Sequence, residues 1–137
     1  MVEAVLVADV LGVKAKTLGD LAHAVEKGLP KKALSRTAKR VFVERGTARK
    51  FLARVVPEAT FKRRVRLTVQ ESERTERLAR VIAAAEYVWD DRGQAHRWLT
   101  APHAELDNRS PLDIALTDLG ARQVEIVLDR IFYGLPA

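Results

Sequence analysis

The run Thr60-Phe61-Lys62-Arg63-Arg64 places a hydroxyl and three cations within five consecutive residues, and Arg49 and Lys50 add two more charges shortly before it. Arginine forks bond guanine edges bidentately, lysine supplies attraction for phosphate, and a hydroxyl reaches either. On a short helix these groups would form a DNA-reading surface, with Phe61 packing beneath. Most charge runs are solvated faces. Here the basic segment Lys31 to Arg40 upstream tips the balance toward DNA and makes Arg49, Lys50, Thr60, Lys62, Arg63 and Arg64 the DNA-binding residues. With about six phosphate contacts, log affinity should fall against log salt with a slope near minus five.

Catalytic chemistry has little to work with. His23, His96 and His103 are scattered with no HExxH or paired spacing, so no metal is expected. Asp90-Asp91 reads as a solvated turn or helix cap rather than an acid–base pair. No glycine-rich phosphate loop and no GxSxG elbow occurs, and without cysteine there is no thiolate nucleophile and no disulfide framework. The expectation is a binding protein with no cofactor, at home in a reducing cytoplasm. The apolar stretch Val2 to Val13 is broken by Glu3 and Asp9, too short for a membrane span and wrong for a secretory signal.

Charge is distributed unevenly over the 137 residues, whose formal net charge is +6. Residues 1–67 carry 16 basic and 6 acidic side chains, residues 68–137 carry 8 and 12. Every lysine lies in the first part, while both tryptophans and both tyrosines, Trp89, Trp98, Tyr87 and Tyr133, lie in the second. Sign and aromatic content change together near Leu67, which sets a module boundary there without a flexible linker.

The elements that must hold these groups are helical. Apolar residues recur at helical spacing, and no segment outside the ambiguous N-terminus alternates with period two, so the fold class is all-α. Thr17 caps a helix over Leu18 to Lys27 that ends at Gly28, and Pro30 opens a second helix to about Val43 with a strongly basic outer side. Thr47 caps a shorter helix reaching Arg54 or Val55, with Phe51, Leu52 and Val55 inward. Pro57 then starts another through Arg64. Two short helices about a tight break fit a helix-turn-helix, with Val55, Val56 and Pro57 in place of the usual turn glycine.

Thr68-Val69-Gln70-Glu71 has capping-box spacing and predicts a long helix with Leu78, Val81, Ile82, Ala85, Val88 and Trp89 inward, broken at Asp90-Asp91-Arg92-Gly93. A short helix carries Ala95, Trp98 and Leu99. Ser110-Pro111 begins another, and Thr117 or Asp118 opens the last, which Gly134 ends. Trp98, Leu99, Leu112, Ile114, Tyr87 and Trp89 are better assigned to core than to an exposed patch. Arg109 either caps local carbonyls or crosses an interface. From the residues alone, the last few are a frayed terminus.

The pieces Leu67-Thr68-Val69-Gln70-Glu71-Ser72, Leu78-Ala79-Arg80-Val81, Ala95-His96-Arg97-Trp98-Leu99, Arg109-Ser110-Pro111-Leu112-Asp113, Leu119-Gly120-Ala121-Arg122-Gln123-Val124-Glu125 and Arg130-Ile131-Phe132-Tyr133-Gly134 follow one another in an order that resembles the Xre/MbcA/ParS toxin-binding domain. The first part resembles the Xre-like helix-turn-helix region that precedes this domain in type II antitoxins. One departure is Thr117-Asp118-Leu119-Gly120, where related chains tend to carry Glu; another acidic cap preserves the helix start.

The resemblance implies residues 1–67 as an Xre-like DNA-binding region and residues 68–137 as a helical toxin-binding domain. Its implied partner is a cognate RES-domain toxin that depletes NAD, held inactive by a cover over its active-site entrance. It also implies a homodimeric repressor bound to operator DNA. It favours a C-terminal anchor, in which Tyr133, Leu135 and Pro136 offer apolar area and Gly134 lets the backbone turn into a pocket. Trp98, Arg109 and Arg130 join these as toxin-binding residues. Two other readings are a free-standing regulator whose second part only dimerises, and an inhibitor or adaptor with no DNA role.

Overall fold

The computed structural model describes residues 2–134, and nine α-helices form among them: α1 Ala4–Leu11, α2 Leu18–Lys27, α3 Lys31–Val41, α4 Arg45–Val55, α5 Glu58–Arg63, α6 Val69–Trp89, α7 Arg92–Thr100, α8 Pro111–Ile114 and α9 Asp118–Phe132. A 3-10 turn, Ala104–Leu106, lies between α7 and α8. The all-α class is observed.

Most helix starts follow from local polar motifs. Thr17 Oγ1 accepts from the Asp20 N–H at 3.0 Å while Asp20 accepts from the Thr17 N–H at 3.1 Å. Thr68 and Glu71 make the same reciprocal pair at 3.1 and 2.9 Å. Each box satisfies two amides that the first helical turn leaves without partners. Asp91, Ser110 and Thr117 cap α7, α8 and α9 through their side chains.

Three boundaries differ from the sequence reading. The cap of α4 is Glu44, not Thr47: the Glu44 carboxylate accepts from the Gly46 N–H and from the Thr47 hydroxyl, so the helix starts at Arg45. Helix α3 stops at Val41, leaving Val43 in solvent. The break after α6 is shorter than expected, because Asp90 alone turns into the left-handed region (φ 50°) and Asp91 already caps the next helix.

Helix α6 is the axis. Val81, Ile82, Ala83, Ala84 and Ala85 are all buried, more than one full turn with no solvent side, as befits a helix surrounded by others. From the first half α1, α2 and α3 pack on it, and from the second α7 and α9. The alanines let these helices approach closely, and one contiguous core runs from Val7 through Leu34 and Ile82 to Leu128.

Two close approaches demand glycine. Gly120, one turn into α9, lies so near α8 that a Cβ would sit 1.7 Å from the Ile114 carbonyl oxygen. Gly28 (φ +85°) ends α2 where a Cβ would meet the Leu67 carbonyl at 2.4 Å. There the chain between α2 and α3 is pinned to the chain before α6. Leu67 N–H donates to Leu29 O at 2.9 Å, Leu29 N–H donates to the buried Ser72 hydroxyl at 2.8 Å, and Arg66 donates to Gly28 O at 2.6 Å.

Candidate functional site

Helices α4 and α5 form the helix-turn-helix. Val55 and Val56 fill the break from inside, with Val56 fully buried, and Pro57 precedes α5, whose fixed φ suits a helix start. None of the six α5 residues is buried. Phe61 anchors the helix: half-buried, it lies under the Lys31 ammonium, 5.1 Å from the ring centroid, and Lys31 also donates to the Phe61 carbonyl at 3.5 Å. That contact presents Lys62 and Arg63 to solvent and leaves Thr60 half-exposed.

Of the six groups expected to act together, Thr60 stays half-exposed on α5 and the five cations divide into three sets. Arg49, Lys62 and Arg63 lie on or beside the exposed face of α5, with Glu58 reaching Arg49 at 3.3 Å and Lys62 at 3.8 Å. These exposed pairs are worth less than about 1 kcal/mol each and give way readily to phosphate. Lys50 turns toward a different cleft, where α4 faces Thr100, Ser110, Leu112 and Asp113. Arg64 turns inward, and its guanidinium donates to both oxygens of Glu71 at 3.0 Å. The Arg64 bond, with the Thr68 N–H, holds the Glu71 carboxyl below its ordinary value despite its burial. Arg64 thus braces the start of α6.

At the other end of the chain, α6 and α9 expose an aromatic cluster. Tyr87 and Phe132 lie 5.6 Å apart between centroids, and Phe132 meets Tyr133 edge-on at 5.1 Å. Their exposures are 51%, 45% and 68%. The core assignment of Tyr87 is therefore corrected: its place on α6 beyond the all-buried segment turns the ring onto α9 and outward. Gly134 (φ +68°) has open space about it, and Arg130 is exposed on α9. Leu135 and Pro136 lie outside the described residues.

Trp98 is set apart from this cluster. Only 9% exposed, it packs on Trp89 and stacks on His103, whose Nε2 donates to the Trp98 carbonyl at 2.8 Å. Little of the ring is left for a partner. Leu99, Leu112 and Ile114 are core, as expected. Arg109 is exposed, its backbone bonded to Leu106 and His103 across a turn in which Asp107 and Asn108 adopt positive φ.

A further polar cluster joins the two halves. Arg40 on α3 donates to both oxygens of Glu86 on α6, at 3.0 and 2.8 Å, and also meets Asp9 of α1 at 3.2 Å. The His96 ring of α7 donates to the same carboxylate at 2.7 Å, and Arg92 approaches at 3.9 Å. Burial pushes the Glu86 carboxyl up, but the bonds from Arg40 and His96 outweigh it and hold the group below its ordinary value. Partners separated by 46 residues leave no signal in sequence spacing.

Among the described residues no group of acidic or histidine side chains could hold a metal ion, and no helix is long and apolar enough to cross a membrane.

Residues 20–80 match the family model described as the antitoxin Xre-like helix-turn-helix domain. Residues 84–134 match that of the antitoxin Xre/MbcA/ParS C-terminal toxin-binding domain. The first match ends and the second begins inside α6. Two curated relatives are each called Antitoxin Xre. One, from Pseudomonas putida, is 37% identical over 84 residues, covering 58% of this chain and 53% of its own. The other, from Yersinia enterocolitica, is 37% identical over 71 residues, covering 51% and 48%. The chain thus spans about half the length of the curated relatives it matches.

Proposed function

This chain belongs to the Xre-type antitoxins, with a helix-turn-helix domain followed by a C-terminal toxin-binding domain, and from that premise we propose that it binds and sterically blocks a RES-domain, NAD-depleting toxin and represses its own operon. The observation that carries the reading is the exposed aromatic cluster Tyr87, Phe132 and Tyr133, which the toxin-binding match includes in full. Exposed aromatics of this kind mark protein interfaces, where large rigid rings fill pockets at little entropic cost. Covering an active-site entrance needs a surface of the right shape and no chemistry of its own, so the role is binding rather than catalysis.

For DNA, the support is the exposed Lys62 and Arg63 of α5 with Arg49 beside them. A helix of six residues offers few base contacts, and phosphate attraction supplies much of the affinity. Two copies would set two recognition helices about 34 Å apart, one helical turn of DNA, on a palindromic operator. The roles divide near Leu67, residues 1–67 carrying the DNA contacts and residues 68–137 the toxin surface, inside the cytoplasm.

The test is expression of the adjacent reading frame in bacteria with and without this chain, with intracellular NAD and growth measured in each. Collapse of NAD that this chain reverses is expected. A harmless neighbour, or one this chain does not rescue, would remove the toxin part and leave a free-standing regulator.

A further inference from the structure

We propose that the cleft between α3 and α4, rimmed by Lys39, Arg45 and Arg49, binds the phosphodiester backbone of duplex DNA flanking the stretch read by α5; the proposal rests on the DNA-binding reading above. Ala38 and Ala48, both buried, form the cleft's floor beside Leu52, and Ser35 adds a hydroxyl at its wall. Small floor residues let a ligand backbone come close. No carboxylate lines it. Glu44, which precedes Arg45, is turned onto the Gly46 N–H and the Thr47 hydroxyl.

Sorting the cations by what holds them singles out this place. Arg40, Arg64 and Arg80 are each closed on a half-buried or buried carboxylate and are structural. Lys39 and Arg45 are exposed and make no salt bridge among the described residues. Arg49 has only the weak, exposed Glu58 contact, which a phosphate would displace.

The position suits a flanking contact. Arg49 joins the cleft to the recognition helix, since its partner Glu58 is the first residue of α5. From there the cleft runs outward to the end of α3 and the start of α4. Along the outer side of α3, Lys32, Arg36 and Lys39 are all exposed and fall at one helical face, opposite the buried Ala33, Leu34, Thr37 and Ala38. The positive surface therefore continues past the two helices of the helix-turn-helix onto the helix before them. A rod of regularly spaced phosphates is the ligand whose charge and length match it.

The experiment uses the full chain and a fluorescent duplex of about 40 base pairs, roughly four helical turns, from the DNA just upstream of its own reading frame. Affinity is followed against salt, with a hydroxyl-radical footprint of the backbone. Lys39→Gln with Arg45→Gln should weaken binding on the order of tenfold, make the log–log salt slope shallower by about two, and lose protection only at the footprint's outer edges. Lys62→Gln with Arg63→Gln should lose the inner protection instead. Both substituted pairs are exposed, so unchanged thermal midpoints confirm folding. Should the wild type bind while the Lys39/Arg45 variant keeps its slope and footprint, the cleft proposal is overturned and the DNA reading stands. If the wild type shows no salt-dependent DNA binding, both fall. A variant that keeps DNA but loses the toxin places the cleft in a protein interface and overturns the proposal as well.

Discussion

Arg63 and Arg64 are adjacent and identical in type, yet one faces solvent and the other closes on Glu71. Residue type could not separate them, because the partner stands seven residues on, across a helix break. The two substitutions should therefore diverge. Arg63→Gln should weaken DNA binding with the thermal midpoint unchanged; Arg64→Gln should lower the midpoint, because Glu71 loses the bond that offsets its burial. Equal effects on DNA with equal midpoints would return Arg64 to the DNA face. Glu86 makes a similar point about charge. Its carboxyl is 12% exposed and faces Arg40 of α3, His96 and Arg92 of α7, and through Arg40 Asp9 of α1. Its folded value is depressed, so the stabilisation is full above the ordinary glutamate value of about 4.3 and is lost as pH falls through the folded value. Glu86→Gln should cost about 3 kcal/mol at neutral pH, leaving Arg40 short of its partner. In urea unfolding, the gap to wild type should narrow as pH falls below the ordinary glutamate value and through the lowered folded one; a constant gap would mean that the ion pair contributes nothing.

At the scale of elements, caps were readable because they are local. Thr17 with Asp20, Thr68 with Glu71, and Thr117 each act three residues ahead, and each opens the helix expected of it. Thr47 misled because Glu44 uses it as a partner, a longer side chain doing from outside what a short one does at the usual position. Helix α1 was unreadable for another reason: Val5 and Leu6 are apolar yet exposed, which erases the polar side that reveals a helical period. The site was read less completely than the fold. Its basic residues stood in two short groups, Arg49-Lys50 and Lys62-Arg63-Arg64, but which helix face each occupies depends on α3 and α6, far off in sequence, and Tyr87 joins Phe132 from 45 positions away. Gly120 shows how tight one junction is. Gly120→Ala puts a Cβ on the Ile114 carbonyl and should cost about 2 kcal/mol or more. Calorimetry reads the loss, and an unshifted melting point would mean that α9 slides freely on α8.

For the whole molecule, the two proposed surfaces, for DNA and for toxin, lie on different helices but share one core. Phe132→Ala with Tyr133→Ala should weaken toxin inhibition by at least tenfold, since exposed rings of this kind carry about 2 kcal/mol each at interfaces. Far-UV circular dichroism and DNA affinity should stay as in wild type, because both rings are largely outside the core. Full inhibition by this variant would move the toxin contact elsewhere. The helix where the two family matches meet has a further consequence. Because α6 is walled by α1, α2 and α3 on one hand and by α7 and α9 on the other, neither half keeps its interior once that helix is pulled out. Unfolding should be a single event, and, under the proposed function, a protease that engages either end and draws the chain through would remove repression and inhibition in one stroke. The cell would then have no stage at which the operon is open while the toxin is still held by the same molecule.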